Sequence, residues 1–267
     1  MDMKSRRRRK LRLLSPKESK SKEIKTLITK FNFWFEEAIS PRLDDLDIEI
    51  NELKERVRDI EQEITEYEES NDVYDEDGRP LDTYLDLHSD IGGLYAGIDL
   101  LLMQQLSIEE MKVVCLYKEF EILLKEIITF SLQNIDIDRI YKWEQIKSIL
   151  NNYGINVGNI ESHNRINELR IINNNIKHSN IINEKVIKTD IVEFEGKEKF
   201  DSESLSKFYS RMRNEPIKFL ESLVTKIIEY LFVFDAERIE SIASQYENRM
   251  DKETAVKLSE LLIKKCS

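Results

Sequence analysis

The spacing of apolar residues divides the chain into long helical segments. Between residues 39 and 64, apolar side chains recur at alternating steps of four and three residues, and charged residues fill most of the positions between them. These apolar positions are Ile39, Leu43, Leu46, Ile50, Leu53, Val57, Ile60 and Ile64. Steps of four and three are typical of the apolar seam along which helices of a coiled coil contact each other.

A second seam of the same kind follows after a short acidic segment. Its positions are Tyr84, Leu87, Ile91, Leu94, Ile98, Leu101 and Gln105. Gly78 and Pro80 lie between the two seams and predict a reversal of the chain. The acidic segment is not an EF-hand loop, because Val73 would occupy the first calcium-ligand position. Residues 23–107 are therefore predicted to form an antiparallel coiled-coil hairpin.

Residues 108–267 have the pattern of a helical bundle. The segment 111–134 is apolar over a broad face, which is typical of a helix at the centre of a bundle. The segment that follows Pro216 is apolar on nearly all sides, and a final amphipathic helix is predicted over residues 236–264. Alternating apolar residues in 186–200 predict a small β-hairpin inserted in the bundle. The predicted fold class is all-α with this one insertion.

The composition agrees with long helices and limits the binding partners. Only 7 glycines and 4 prolines interrupt 267 residues, of which 35% are charged. The net charge of -11 argues against a protein whose whole surface binds nucleic acid, because phosphates require a concentrated positive field. Residues 1–22 differ from the rest of the chain because their charge is positive. Their cations, including Arg6 to Lys10, predict a flexible basic arm, or alternatively an arm that contacts RNA, DNA or an acidic partner.

No motif of the sequence calls for a metal, a cofactor or a membrane. Cys115 and Cys266 are far apart and belong to no Cys-x-x-Cys pair, and the histidines lack the His-Glu-x-x-His spacing of a zinc site. The N-terminus has neither the apolar stretch nor the cleavage site of a signal peptide, and we found no run of about 18 apolar residues. The expected location is the cytoplasm, without cofactor or metal.

The segment ELRIINNNIKHSN, residues 168–180, is the candidate functional site. On a helix, Leu169, Ile172 and Ile176 share the buried face, whereas Arg170, Asn174 and His178 form one polar stripe beside that face. Asparagine is unfavourable inside a helix because its amide competes for backbone hydrogen bonds. A local cost with no packing benefit indicates function. The alternative is that the asparagines reflect a composition rich in Asn, Ile and Lys throughout.

This segment, preceded by the aromatic helix LYKEFEILLKEII and a short helix with a tryptophan, resembles the motif helix of HEPN domains. HEPN domains are small four-helix bundles common in prokaryotic toxin and defence systems and in RNA processing. The resemblance covers approximately residues 111–235. Active members carry an arginine, then four to six residues, then a histidine, and often a polar residue directly after the arginine. Asn174 and His178 match this pattern, but Asn173 occupies the arginine position and seven residues separate Arg170 from His178.

The resemblance implies a metal-independent ribonuclease that uses the 2′-OH of the RNA as the nucleophile. His178 would transfer protons, and Arg170 would hold the scissile phosphate. Asn174 would orient either the histidine or the phosphate. One histidine cannot readily act on both sides of the phosphorus, so the family's homodimer would set two motif helices face to face. The coiled coil would hold this dimer or dock an antitoxin or a sensor protein.

Three other interpretations were considered. A non-catalytic HEPN-like scaffold or adaptor that binds a partner protein is the main alternative, favoured by the misplaced arginine and the acidic surface. A nucleic-acid-binding module that uses the basic arm is weaker, because no aromatic residues are interleaved with the cations. NNNIKHS also resembles the N-box of histidine kinases, but that fold needs glycine-rich boxes downstream, and only Gly196 follows His178.

Overall fold

The computed structural model describes residues 16–70, 73–132, 135, 142–247 and 249–266. Over these residues the chain is all-α, which confirms the predicted fold class. In chain order the described helices are α1 (Pro16–Ile28), α2 (Trp34–Ser70), α3 (Asp82–Ser131), α4 (Trp143–Asn152), α5 (His163–His178), α6 (Glu184–Ile187), α7 (Ser202–Met212), α8 (Glu215–Phe232), α9 (Ala236–Glu247) and α10 (Lys252–Cys266). Short 3-10 turns lie at Val157–Asn159 and Val192–Phe194.

Helix α2 and the N-terminal half of α3 lie side by side in opposite directions. The Gln105 amide donates to the Asp47 carboxylate at 2.6 Å, and the Tyr84 hydroxyl donates to Glu68 at 2.9 Å. Early residues of α2 therefore pair with late residues of α3, as in an antiparallel pair. Leu46, which belongs to the predicted seam of α2, is fully buried. The two helices are thus joined along the apolar positions that the sequence indicates.

The turn between α2 and α3 is fixed by an aspartate. The Asp75 carboxylate accepts hydrogen bonds from the backbone N–H groups of Asp77 at 2.9 Å and Arg79 at 2.8 Å. Gly78 adopts a φ of 75°, in the left-handed region that favours glycine. This turn lies in the segment that the sequence predicts to reverse the chain.

Helix α3 belongs to both the hairpin and the bundle. It continues without interruption from Asp82 to Ser131, so the predicted boundary between residues 107 and 108 lies inside one helix. The C-terminal half of α3 is the central helix of the bundle. Phe120 is fully buried there and packs edge to face on Phe219 of α8, with ring centroids 5.5 Å apart. Helix α2 stays beside α3 beyond residue 108, since the Trp34 indole at the start of α2 donates to the Glu119 carboxylate at 3.2 Å.

Part of the segment predicted as a flexible arm is helical. Helix α1 begins at Pro16 and buries Ile24 completely. The Lys17 ammonium donates to the Phe232 carbonyl at 2.8 Å, and the Lys20 ammonium donates to the Phe130 carbonyl at 3.2 Å. Lysines are favourable at such positions because the last carbonyls of a helix carry partial negative charge. The remainder of the predicted arm, residues 1–15, lies outside the described residues.

The predicted β-hairpin at 186–200 is wrong. The segment begins at the end of the short helix α6 and continues into the 3-10 turn Val192–Phe194; its one described extended pairing is an isolated bridge between Ile181 and Lys199. The Asn183 side chain accepts from the N–H groups of Lys185 and Val186 and so starts α6. These two capping hydrogen bonds favour a helical turn over the strand that the weak period-two pattern predicts.

The C-terminal segment forms two helices where one was predicted. Helix α9 ends at Glu247 and α10 begins at Lys252. Neither helix has a buried side chain among its described residues. These two helices therefore lie outside the core of the bundle.

Candidate functional site

The predicted polar stripe lies on one side of α5. Arg170 is half-buried, whereas Asn174 and His178 are exposed. At 100° per residue, side chains four residues apart leave the helix about 40° from each other, so the three span about 80°. Leu169 and Ile172, by contrast, are fully buried. The imidazole of His178 is therefore accessible from outside its own bundle.

The Arg170 guanidinium is held near the start of α5. Its Nη2 donates to the side-chain Oδ1 of Asn167 at 2.7 Å, and its Nε is buried without a hydrogen-bond partner among the described residues. Burial, with a smaller contribution from the nearby Glu121 carboxylate, raises the pKa of the Tyr117 hydroxyl to about 12, against the opposing positive charge of Arg170. Arg170 thus lies in the groove between α5 and α3, close to a buried tyrosine.

Arg170 and His178 do not converge on one point of a single chain. Eight residues of helix correspond to a rise of about 12 Å. The bond from Arg170 to Asn167 directs the guanidinium towards the N-terminus of α5, away from the imidazole. A proton-transfer residue must approach the reacting atom within about 3 Å, and a phosphate clamp needs the same proximity to the same group. One copy of the chain does not meet this condition.

Asn175 has a structural role that explains one of the three consecutive asparagines. Its side chain is 1% exposed. Its amide nitrogen donates to the carbonyls of Ser179 at 3.1 Å and Ile181 at 2.8 Å, and its oxygen accepts from the N–H of Asn183 at 2.9 Å. A single amide therefore satisfies three backbone groups where α5 ends and the chain turns towards α6. The sequence does not distinguish this asparagine from its two neighbours.

Asn173 occupies the position where the HEPN pattern has arginine, and it points into the bundle. Its side chain is 1% exposed, and its amide nitrogen donates to the Asn174 carbonyl oxygen at 3.2 Å. Its own oxygen is buried without a hydrogen-bond partner among the described residues. The position therefore supplies a short neutral group, whereas phosphate binding would need an accessible cation.

A half-buried charge cluster connects α5 with α7 and was not predicted. Arg211 of α7 makes two bonds with the Glu193 carboxylate, at 2.6 and 2.8 Å, and one with Glu168 of α5 at 2.8 Å. Burial acts to raise the pKa of Glu193, but the hydrogen bonds and the charge of Arg211 lower it below its usual value. The residues are far apart in sequence, so no local pattern signals the cluster.

The described part of the chain lacks the ligands of a metal site. It contains no group of three or more His, Cys, Asp or Glu side chains that could hold an ion. Cys115 is a free, half-buried thiol whose pKa is raised by burial.

No protein-family model matches the chain. No curated protein and no solved structure matches it either. The HEPN resemblance therefore depends on the residues of α5 and the helices before it, and it stays a prediction.

Proposed function

We propose that this chain is a HEPN-like helical scaffold that binds a partner protein and does not cut RNA. The observation that carries the proposal is the separation of two candidate site residues along α5: Arg170 bonds towards the N-terminus of the helix and His178 is exposed at its C-terminus. The neutral, buried Asn173 supports it, because the HEPN pattern has its phosphate-binding arginine at that position.

The C-terminal helices support a binding role. One side of α9 carries Ile239, Ile242 and Tyr246, and all three are exposed. The apolar residues of α10 are exposed as well; they are Val256, Leu258, Leu261, Leu262 and Ile263. Folded proteins rarely leave contiguous apolar faces uncovered, and such faces commonly mark interfaces with other proteins. An amphipathic helix is typically received by an apolar groove of its partner. An antitoxin or a sensor protein would fit this role.

A second candidate function is the metal-independent ribonuclease. The exposure of Asn174 and His178 on one side of α5 favours it, since a second copy could approach them there. In that reaction the 2′-oxygen attacks phosphorus, a histidine accepts its proton, and the 5′-oxygen leaves with a proton from an acid, which produces a 2′,3′-cyclic phosphate and a free 5′-OH. Two copies facing each other would supply the two histidines.

The scaffold and the ribonuclease predict different results when the purified chain is incubated with RNA. We expect the wild type and His178→Ala to leave RNA equally intact during incubation with a metal chelator, as judged by gel electrophoresis. His88→Ala is the matched control, because His88 is also exposed but lies on α3. Cleavage by the wild type and His88→Ala, with none by His178→Ala, would refute the scaffold and establish the ribonuclease. An Arg170→Lys variant would then test whether the planar guanidinium is needed.

A further inference from the structure

Helix α3 has a second face without charged residues, opposite the seam that packs on α2. Its positions are Leu85, Ser89, Gly92, Ala96, Leu100, Met103 and Ser107, and every one of them is exposed. We call this set the open face of α3. The seam positions from Tyr84 to Gln105, by contrast, are all buried or half-buried. At 100° per residue the centres of the two sets lie about 170° apart, on opposite sides of the helix.

Nothing in the hairpin accounts for the composition of the open face. The side chains of Leu100 and Met103 are 57% and 64% exposed. A Cβ atom added at Gly92 would meet nothing within 4 Å, whereas one added at Gly97 would lie 3.4 Å from Leu53 of α2. Gly97 thus permits the close approach of α2, but Gly92 lowers helix propensity without an intramolecular reason.

The open face is complementary to a second copy of itself in the opposite direction. Its steps along the chain are 4, 3, 4, 4, 3 and 4 residues, which read the same in both directions from Ala96. In an antiparallel pair centred on Ala96, large side chains therefore face small ones. The facing pairs are Leu85 with Ser107, Met103 with Ser89, and Leu100 with Gly92. Close packing requires this alternation of large and small residues.

We propose that the chain forms a homodimer through the open face of α3, with a two-fold axis at Ala96. The two hairpins then make an antiparallel four-helix bundle. The largest apolar side chains of this interface would be Leu85, Leu100 and Met103, each at least half exposed in a single copy. Asp99, at the edge of the face, would lie opposite Gly93 and away from the other copy's Asp99.

A lipid bilayer is the competing occupant of this face. By length and composition, α3 is the one described helix apolar enough to cross a membrane, and 11% of that stretch is buried. Its partner α2 argues against insertion. The hydrogen bond from Gln105 to Asp47 holds α3 beside a helix with charged residues along its whole length, and charges are costly inside a bilayer. A second copy covers the open face without moving α2.

This dimer does not depend on the proposed function. It would, however, set the distance between the two α5 helices. The helix from Ala96 to Phe120, at the centre of the bundle, rises by about 36 Å. The two bundles would therefore lie at opposite ends of the dimer, with their α5 helices roughly 70 Å apart. Such a dimer could not set two motif helices face to face, so any composite cleft would need a different contact.

The mass of the full-length chain in solution tests the dimer. We expect light scattering after size-exclusion chromatography to give twice the chain mass of 31.7 kDa for the wild type and the chain mass itself for Ala96→Glu, which sets two carboxylates against each other at the axis. Ala38→Glu is the matched control on an exposed position of α2, and it should stay dimeric. Circular dichroism would verify that all variants are folded.

Three results would overturn the proposal. The wild type could be a monomer, Ala96→Glu could stay a dimer, or the dimer could be lost in the α9 variant Ala243→Glu and not in Ala96→Glu. A fourth is sedimentation of the wild type with phospholipid vesicles that Ala96→Glu abolishes, since the bilayer would then be the occupant.

The register of the dimer has its own test in a Cys115→Ser, Cys266→Ser background. Ala96→Cys should form an intermolecular disulfide on mild oxidation, and Ala38→Cys should not. These results are independent of whether RNA is cut.

Discussion

Replacing Asn175 with alanine is expected to lower the free energy of unfolding by about 3 kcal/mol. The buried amide serves the carbonyls of Ser179 and Ile181 and the N–H of Asn183. Its removal would leave all three backbone groups without the side-chain partner that now satisfies them. Urea unfolding followed by far-UV circular dichroism measures the loss.

The neighbouring asparagine supplies the control for this prediction. Asn174 is exposed, and its side chain accepts one bond from Asn173. Asn174→Ala should therefore change the free energy of unfolding by less than about 0.5 kcal/mol. Equal losses for the two variants would contradict the assignment of a structural role to Asn175 alone.

The second large effect is expected at Arg211. Arg211→Met should lower the free energy of unfolding by about 2 kcal/mol at neutral pH, because it leaves the half-buried Glu193 carboxylate without its two-bond partner, whereas Glu168 keeps its ion pair with Arg165 at 2.9 Å. Lys207→Met is the matched control. Lys207 pairs with Glu203 at 2.5 Å on the surface, where both side chains are mostly exposed, and such pairs contribute at most about 1 kcal/mol. Chemical unfolding of both variants at one pH makes the comparison.

The effect of Arg211 should also depend on pH. Although burial acts to raise the pKa of Glu193, its bonds to Arg211 lower it below the ordinary value of 4.5 in the folded state. A carboxyl whose pKa is lower in the folded state stabilises the fold above its unfolded pKa, and this contribution is lost as pH falls through the folded pKa. The stability difference between wild type and Arg211→Met should therefore shrink below about pH 4.5. A difference that stays constant down to acid unfolding would exclude this linkage.

The helices were predictable where the apolar period is long. Residues 39–64 and 84–105 repeat a helical period over several turns, and few glycines or prolines interrupt them, so local and tertiary preferences agree. The segment 186–200 is too short for this. Its few apolar residues fit a strand or a turn of helix equally well, and the cap at Asn183 decides between them.

The candidate site could be predicted only in part. The four-residue spacing places Arg170, Asn174 and His178 on one side of a helix without any tertiary information. That same spacing does not reveal the bond of Arg170 to Asn167, nor the burial of Asn173. These depend on which elements pack around α5, and residues from α3 and α7 are distant in sequence.

By itself, then, the sequence determined the all-α class, the positions of the long helices and the polar stripe of α5, because each follows from a repeat within one segment. Only the tertiary structure decided that α3 serves both hairpin and bundle, that Asn175 closes α5, and that Arg211 joins two carboxylates. The physical reason is that burial and hydrogen bonding are properties of a side chain's surroundings. Those surroundings are assembled from segments that lie far apart along the chain.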